Sequence, residues 1–166
     1  MHFLVNLLIT WPDRIARYFL WMGPLAARIV AGWVFLWSGW GKLHALPKMI
    51  ENFTEWHIPY PEILTPFVSG VEFFGGLLLL LGLFTRIAAV PLVVVMIIAI
   101  ASAKWGAVDS LETLLGFEET AYLVLFGWLA VYGPGPVSLD AVLQNRFGDA
   151  AGVEPSGNVT TSWKTN

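Results

Sequence analysis

The chain has 166 residues, 57 % of them hydrophobic and only 13 % charged, with a mean hydropathy of +0.68 and a formal net charge of −3. A soluble domain of this length cannot hide so much apolar surface, so the composition excludes an ordinary cytosolic globule and points to an integral membrane protein. Cysteine is absent, which excludes thiol catalysis, disulfides, iron–sulfur ligation and covalent haem attachment; no basic run suggests a nucleic-acid partner.

The first residues have neither a basic n-region nor a small-x-small cleavage site, so they do not read as a signal peptide. Residues 3–21 mix Trp11, Arg14, Arg17, Tyr18 and Trp21 with aliphatic side chains, the pattern of an interfacial amphipathic helix. Four apolar spans follow. The first runs from Pro24 to Gly41, with Pro24 in the first turn, where its missing N–H is not needed. The second runs from Thr65 to Phe84, with Pro66 in the same role. The third runs from Arg86 to Ala103, with Thr85 as its N-cap and Pro91 as a possible kink. The fourth, from Gly116 to Tyr132, carries Glu118 and Glu119 at its start and ends at Gly133-Pro-Gly-Pro136. Between the third and fourth, Asp109-Ser-Leu-Glu112 resembles a helix start. The sequence thus predicts an all-α, integral membrane four-helix bundle over 24–143. An interfacial amphipathic helix at 1–23 precedes it. A polar tail at 144–166 follows, rich in Gly, Ser, Thr and Asn after Asp149, and is expected to be disordered.

The loops sort by charge. Arg14, Arg17, Arg28, Arg86, Arg146 and Lys164 fall on one side, and Lys42, Lys48 and Lys104 on the other. The basic excess predicts that the first group, and both termini, are cytoplasmic. There is also an internal echo. Arg28-Ile-Val-Ala and Arg86-Ile-Ala-Ala each open a span, Lys42 and Lys104 each close one, and Glu72 and Glu119 each sit on the returning span, which suggests two related helix hairpins.

Glu72 lies within the apolar second span, where an ionisable group costs several kcal/mol unless it has a partner. On the first span Arg28, Gly32, Phe35, Gly39 and Lys42 share a helical face, and the glycines allow close backbone approach. Ser69, Glu72 and Gly76 form a comparable stripe on the second. If the stripes meet, Glu72 falls between Arg28 and Lys42, roughly 10 Å from either at 1.5 Å per residue; Arg86 is a further candidate partner. The alternatives open at this level are an ion pair that sets helix register, a proton-relay carboxylate, a contact to the polar head of a bound quinone or lipid, and a wet crevice with no task. One of Glu118 and Glu119 suits a helix N-terminus, leaving the other to point into the bundle beside Tyr122. Trp37 and Trp40 are read as packing or lipid contacts first and as a stacking wall for an aromatic ring second. His44 and His57 read as surface residues, so no metal site is assigned.

The ordered set Arg28-x3-Gly32-x6-Gly39-x2-Lys42-Leu43, Glu72-x2-Gly75-Gly76-x5-Gly82-Leu83-x-Thr85-Arg86 and Gly133-Pro-Gly-x2-Ser138-Leu-Asp140 resembles the DoxX family across residues 24–143. The resemblance implies a four-helix bundle of the bacterial inner membrane. It also implies a link to sulfur or oxidative-stress redox metabolism, some relatives being subunits of thiosulfate:quinone oxidoreductases and others assembling with soluble redox-defence enzymes. It carries over Arg28, Lys42, Glu72, Arg86 and Asp140 as pattern positions. Pro136-Val137 stands where the family commonly has a basic or aromatic residue, which argues against an anionic ligand there. The chain has no glycine-rich dinucleotide turn and no paired haem histidines. No intrinsic cofactor is therefore expected, only a bound quinone or lipid. The functional readings are a membrane subunit supporting quinone-linked redox metabolism in a partner complex, a non-redox small-molecule or proton-handling bundle, and a structural anchor for a soluble partner; a homo-oligomer is compatible with each, and catalysis by the chain alone is left open.

The charge asymmetry generates a direct test of orientation. In intact cells a membrane-impermeant thiol reagent should label Glu51→Cys, while Asn145→Cys should react only after permeabilisation. Labelling of both in intact cells, or the reverse pattern, would overturn the predicted orientation.

Overall fold

The computed structural model describes residues 19–147; most of the expected interfacial segment 1–23 and of the tail lies outside them. The described residues are helical, with no strands. In chain order the helices are α1 (Met22–His44), α2 (Leu46–Glu55), α3 (Pro61–Leu81), α4 (Thr85–Ala99), α5 (Leu111–Gly116), α6 (Glu118–Tyr132) and α7 (Leu139–Phe147). A π-helical turn, Ile100–Lys104, and a 3₁₀ turn, Trp105–Ala107, extend α4. Among the described residues two helical stretches, Pro61–Leu81 and Thr85–Ala107, are long and apolar enough to cross a membrane. Large apolar side chains such as Trp33, Phe67, Ile87, Val90, Val124 and Val131 are exposed, as a lipid-facing surface requires.

The four long helices coincide with the four expected spans, with corrected ends. Helix α3 begins at Pro61, after Tyr60 in the left-handed region, so Pro61 takes the first-turn role and Pro66 lies inside the helix. Thr85 is the first residue of α4 and makes no capping bond. The cap comes from elsewhere in the chain: Asp140 Oδ1 accepts from Phe84 N at 2.8 Å and Oδ2 from Thr85 N at 3.1 Å. The segment after Lys42 holds α2, whose apolar Met49, Ile50 and Phe53 turn toward the bundle at helical spacing. The expected helix start at Asp109 is α5, with Ser110 Oγ accepting from Thr113 N at 3.2 Å. The Thr113 hydroxyl donates to Asp109 and holds that exposed carboxyl below the usual carboxylate range. Helix α7 crosses the expected boundary at 143–144.

The closest packing pairs are α1 with α3 and α4 with α6, so the chain reads as two consecutive units, α1–α2–α3 and α4–α5–α6, each a long helix, a short helix and a return. Glycines weld the first pair. A Cβ on Gly39 would stand 2.3 Å from Phe73 N, and one on Gly76 would stand 2.4 Å from Leu36 N. On the other face of α3, Gly75 lies against Leu92 of α4. Phe35 then reaches across to α6, edge-to-face with Tyr122 and Phe126 at 5.1 and 4.8 Å between ring centroids. With Ala31, Leu79, Ala89, Leu92 and Leu129 these side chains form the core.

The turn between α3 and α4 is held by the segment that follows α6. Gly82 (φ 64°) ends α3 with Leu83 N bonded to Leu78 O and Gly82 N to Leu79 O, the Schellman arrangement. The Arg28 guanidinium donates to Val137 O, and Arg86 donates to Tyr132 O at 3.2 Å. Gly133 (φ 94°) rests on Arg86 and Gly135 (φ 77°) on Pro24.

The glycine seam separates two otherwise similar substitutions. Gly39→Ala should lower stability by about 1–3 kcal/mol through overpacking, whereas Gly41→Ala, with open space around its Cβ, should be neutral or stabilise by up to about 1 kcal/mol. Thermal unfolding of the two variants in mild detergent checks this; equal melting temperatures would show that the α1–α3 contact is not tight.

Candidate functional site

Glu72, the twelfth residue of α3, is buried, with 2 % of its side chain exposed. Its partners come from α1 on either side of Gly39. Lys42 Nζ lies 2.6 Å from Oε1 and 2.7 Å from Oε2, and Ser38 Oγ donates to Oε2 at 3.0 Å. The carboxylate is therefore gripped by an ammonium on both oxygens and by one hydroxyl. Lys42 is 31 % exposed, so its stem covers apolar surface while its head holds the pair.

Two cavities meet at this pair. The larger, about 440 Å³, lies between α3 and α4 under α2. Its walls are almost wholly apolar, among them Phe53, Val68, Val71, Pro91 and Val95, with Lys42 and Glu72 at one side and Ser102 at the far end. Phe67, Val90, Val94 and Ile98 at its rim are exposed on the lipid-facing surface. The second, about 340 Å³, lies between α1, α6 and the π turn. It shares Lys42, Glu72, Trp56 and Ala99 with the first and adds Ser38, Lys104, Glu118, Glu119 and Tyr122. There Lys104 Nζ stands 3.6 Å from Glu119 Oε1 and 5.6 Å above the Phe117 ring, while Glu119 Oε2 is buried without a hydrogen-bond partner. The π turn places Ser102 in the first cavity and Ala103 and Lys104 in the second, in keeping with the frequency of such turns at functional sites.

The structure brings Lys42 to Glu72, and Glu119 to the neighbouring cavity. It does not bring Arg28 or Arg86 to Glu72. Both arginines serve carbonyls at the opposite end of the bundle, and Arg28 and Lys42 are separated by about 21 Å along α1 at 1.5 Å per residue. Trp37 and Trp40 line neither cavity and are about half exposed. Trp37 packs edge-on against Trp33, and Trp40 lies against Phe73 and His44. The glycine seam closes the first span on the second, and the open space is on the α3–α4 side. His44 Nδ1 is engaged with Trp40 O at 2.9 Å. Sequence reasoning missed Ser38, which its position four residues before Lys42 placed on the same face, and the α2 side chains Phe53 and Trp56, which only the amphipathic pattern of 46–56 announces.

These features define an α-helical membrane protein with a charge pair buried at the wall of a lipid-facing cleft. Residues 23–105 match the DoxX family model. The chain is 26 % identical over 126 residues to the "Inner membrane protein YqjF" of Escherichia coli (strain K12), covering 76 % of this chain and 95 % of that protein. It is 30 % identical over 121 residues to the "Putative oxidoreductase CatD" of Bacillus subtilis (strain 168), covering 72 % and 85 %. It is 34 % identical over 134 residues to the "Uncharacterized membrane protein Rv3486" of Mycobacterium tuberculosis (strain ATCC 25618 / H37Rv), covering 74 % and 82 %. No solved structure matches it. The chain belongs to the DoxX family of membrane proteins.

The asymmetric burial of the pair sets the order of two variants. Lys42→Met strands a carboxylate with only Ser38 for company and should cost about 3–5 kcal/mol. Glu72→Gln keeps the shape and an acceptor for both donors, leaving a lysine that reaches the surface, and should cost no more than about 1–2 kcal/mol. Unfolding of both variants in detergent measures the difference; a larger loss for Glu72→Gln would show that burial does not govern the pair.

Proposed function

We propose that this chain is a multi-pass protein of the bacterial inner membrane that binds a lipophilic molecule of the quinone type and serves as the membrane subunit of a redox complex. The observation that carries the reading is the 440 Å³ cleft, apolar nearly throughout, rimmed by lipid-facing side chains and bearing an ammonium–carboxylate pair on one wall. Its volume falls in the range of small-molecule sites, about 300–1,000 Å³. Its chemistry suits a ring with carbonyl oxygens on an isoprenoid tail: Lys42 Nζ donates to a carbonyl oxygen, Phe67, Val90 and Val94 cover the apolar part, and the tail leaves toward lipid. The Glu72 carboxyl stands beside the same oxygen, where a quinone gains a proton on reduction. In this reading the electrons come from a soluble partner enzyme. The relative named as an oxidoreductase supports a redox setting.

Protein extracted in mild detergent should carry quinone detectable by mass spectrometry, and a short-chain quinone should bind it in calorimetry. Val94→Trp, which fills the cleft from its rim, should abolish that binding while the fold persists. Lys42→Ala should weaken it by about tenfold or more, as for loss of a charge-assisted hydrogen bond. Recovery of phospholipid alone, or equal quinone binding by Val94→Trp and the parent, would overturn the reading; phospholipid alone would favour a non-redox bundle.

A further inference from the structure

The apolar cleft accounts for only one side of the Glu72–Lys42 pair. On the other side lies the 340 Å³ cavity, and its character differs. Its wall sets a row of hydroxyl and charged groups, Ser38 and Lys42 of α1, Lys104 of the π turn, and Glu118, Glu119 and Tyr122 of α6, against apolar side chains such as Phe35 and Met96. It runs from Glu72, deep in α3, to the first turn of α6, where Glu118 is exposed at the end of the bundle that carries α2 and α5. A space of this size with that many polar groups along it has room and partners for water, which needs two to four polar partners. One group in it points to an occupant directly: Glu119 Oε2 is buried with no hydrogen-bond partner among the described residues, although Oε1 has Lys104 at 3.6 Å. A buried carboxylate oxygen left without a donor is costly, and a water in the cavity supplies one.

We propose that this second cavity is a water-filled proton path from the α2/α5 end of the bundle to Glu72, with Glu119 as the carboxylate at its mouth. A proton taken from bulk water by the Glu119 carboxylate passes through cavity water to the Glu72 carboxylate; one proton moves and no electrons do. Once Glu72 is neutral, Lys42 loses its counter-charge and is free to donate into the apolar cleft, which Lys42 also lines. The pair is thus the partition between a lipid-facing ligand space and a water-facing proton space. Only the use of the proton rests on the quinone reading; the path is a property of the cavity and is tested without any ligand.

The absence of native cysteine makes the test clean. Ser38→Cys and Tyr122→Cys are placed singly in the full chain and treated in membranes with a small, positively charged methanethiosulfonate, which reacts only with hydrated thiolate. Glu51→Cys, exposed on α2, is the reference for the same end of the bundle, and Val68→Cys, in the apolar cleft, is the dry control. Both cavity cysteines should react within about tenfold of the reference rate, and Val68→Cys more slowly than either by at least about tenfold. Adding Ala103→Trp, which fills the cavity between mouth and pair, should slow Ser38→Cys at least about tenfold and leave the reference unchanged. Inert cysteines at both cavity positions, or a Ser38→Cys rate unmoved by Ala103→Trp, would overturn the path. If one cavity variant fails to fold, the other decides. Normal labelling in a protein that binds no quinone would leave the path standing and remove the ligand class instead.

Discussion

The contact between Gly39 of α1 and the backbone of Phe73 of α3 organises everything around it. It permits no side chain between the two helices, so their separation and register are fixed at that level. Phe73 follows Glu72, and Ser38 and Lys42 flank Gly39 within one turn. One close approach therefore delivers the carboxylate to both of its donors. The same closeness forbids a ligand space between α1 and α3. Space opens on the far side of α3. Toward the α3–α4 turn, Gly75 lets Leu92 approach; further along, Val68, Val71 and Val95 line the cleft between the two helices. A buried ion pair of this kind adds little stability over an apolar pair of equal volume. It sits at the junction of two cavities, a position that helix register alone does not require.

The opposite end of the bundle shows what charge does when it is structural. Arg28 and Arg86 offer planar forks to main-chain carbonyls, those of Val137 and Tyr132. Asp140 completes the arrangement from the other direction by satisfying the first amides of α4, including that of Phe84, a non-glycine residue in the left-handed region. Gly133 and Gly135 are needed because the chain passes directly over Arg86 and Pro24 at positive φ. The Gly-Pro-Gly-x2-Ser-Leu-Asp run is thus a clasp across the ends of α1, α3 and α4. It leaves the lysine–carboxylate chemistry to the other end.

Much of this was legible in the sequence because period and hydropathy are local. The Arg28, Gly32, Phe35, Gly39 and Lys42 face and the Ser69, Glu72 and Gly76 face emerged from spacing alone, and they are the faces that meet. Spacing gives a face but not a partner. Spacing leaves Arg28 and Lys42 as equal candidates for Glu72, with Arg86 a further one, and the choice depends on the relative depth of two antiparallel helices, which the Gly39–Phe73 contact sets. The cap of α4 could not be found locally, since Asp140 lies 55 residues beyond Thr85; a threonine before an apolar run was the better local guess. Glycines on facing stripes signal closeness as readily as room, so spacing does not place the cleft, and Trp37 and Trp40 lie on the outward surface, as their first reading as packing or lipid contacts has it.

The two units of the chain carry the same elements at different depths. Each has a lysine at the far end of its first long helix and a carboxylate on its return, Lys42 with Glu72 and Lys104 with Glu119. In the first unit the carboxylate is the twelfth residue of its helix; in the second it is the second residue of its helix. At 1.5 Å per residue that offset sets Glu72 about 15 Å further in than Glu119 relative to the helix starts. A pair near an aqueous interface exchanges with water, and a pair deep among apolar walls does not unless a polar space reaches it. The second cavity borders both pairs. The different depths of the two carboxylates in their helices thus set a shallow one and a deep one along a single cavity.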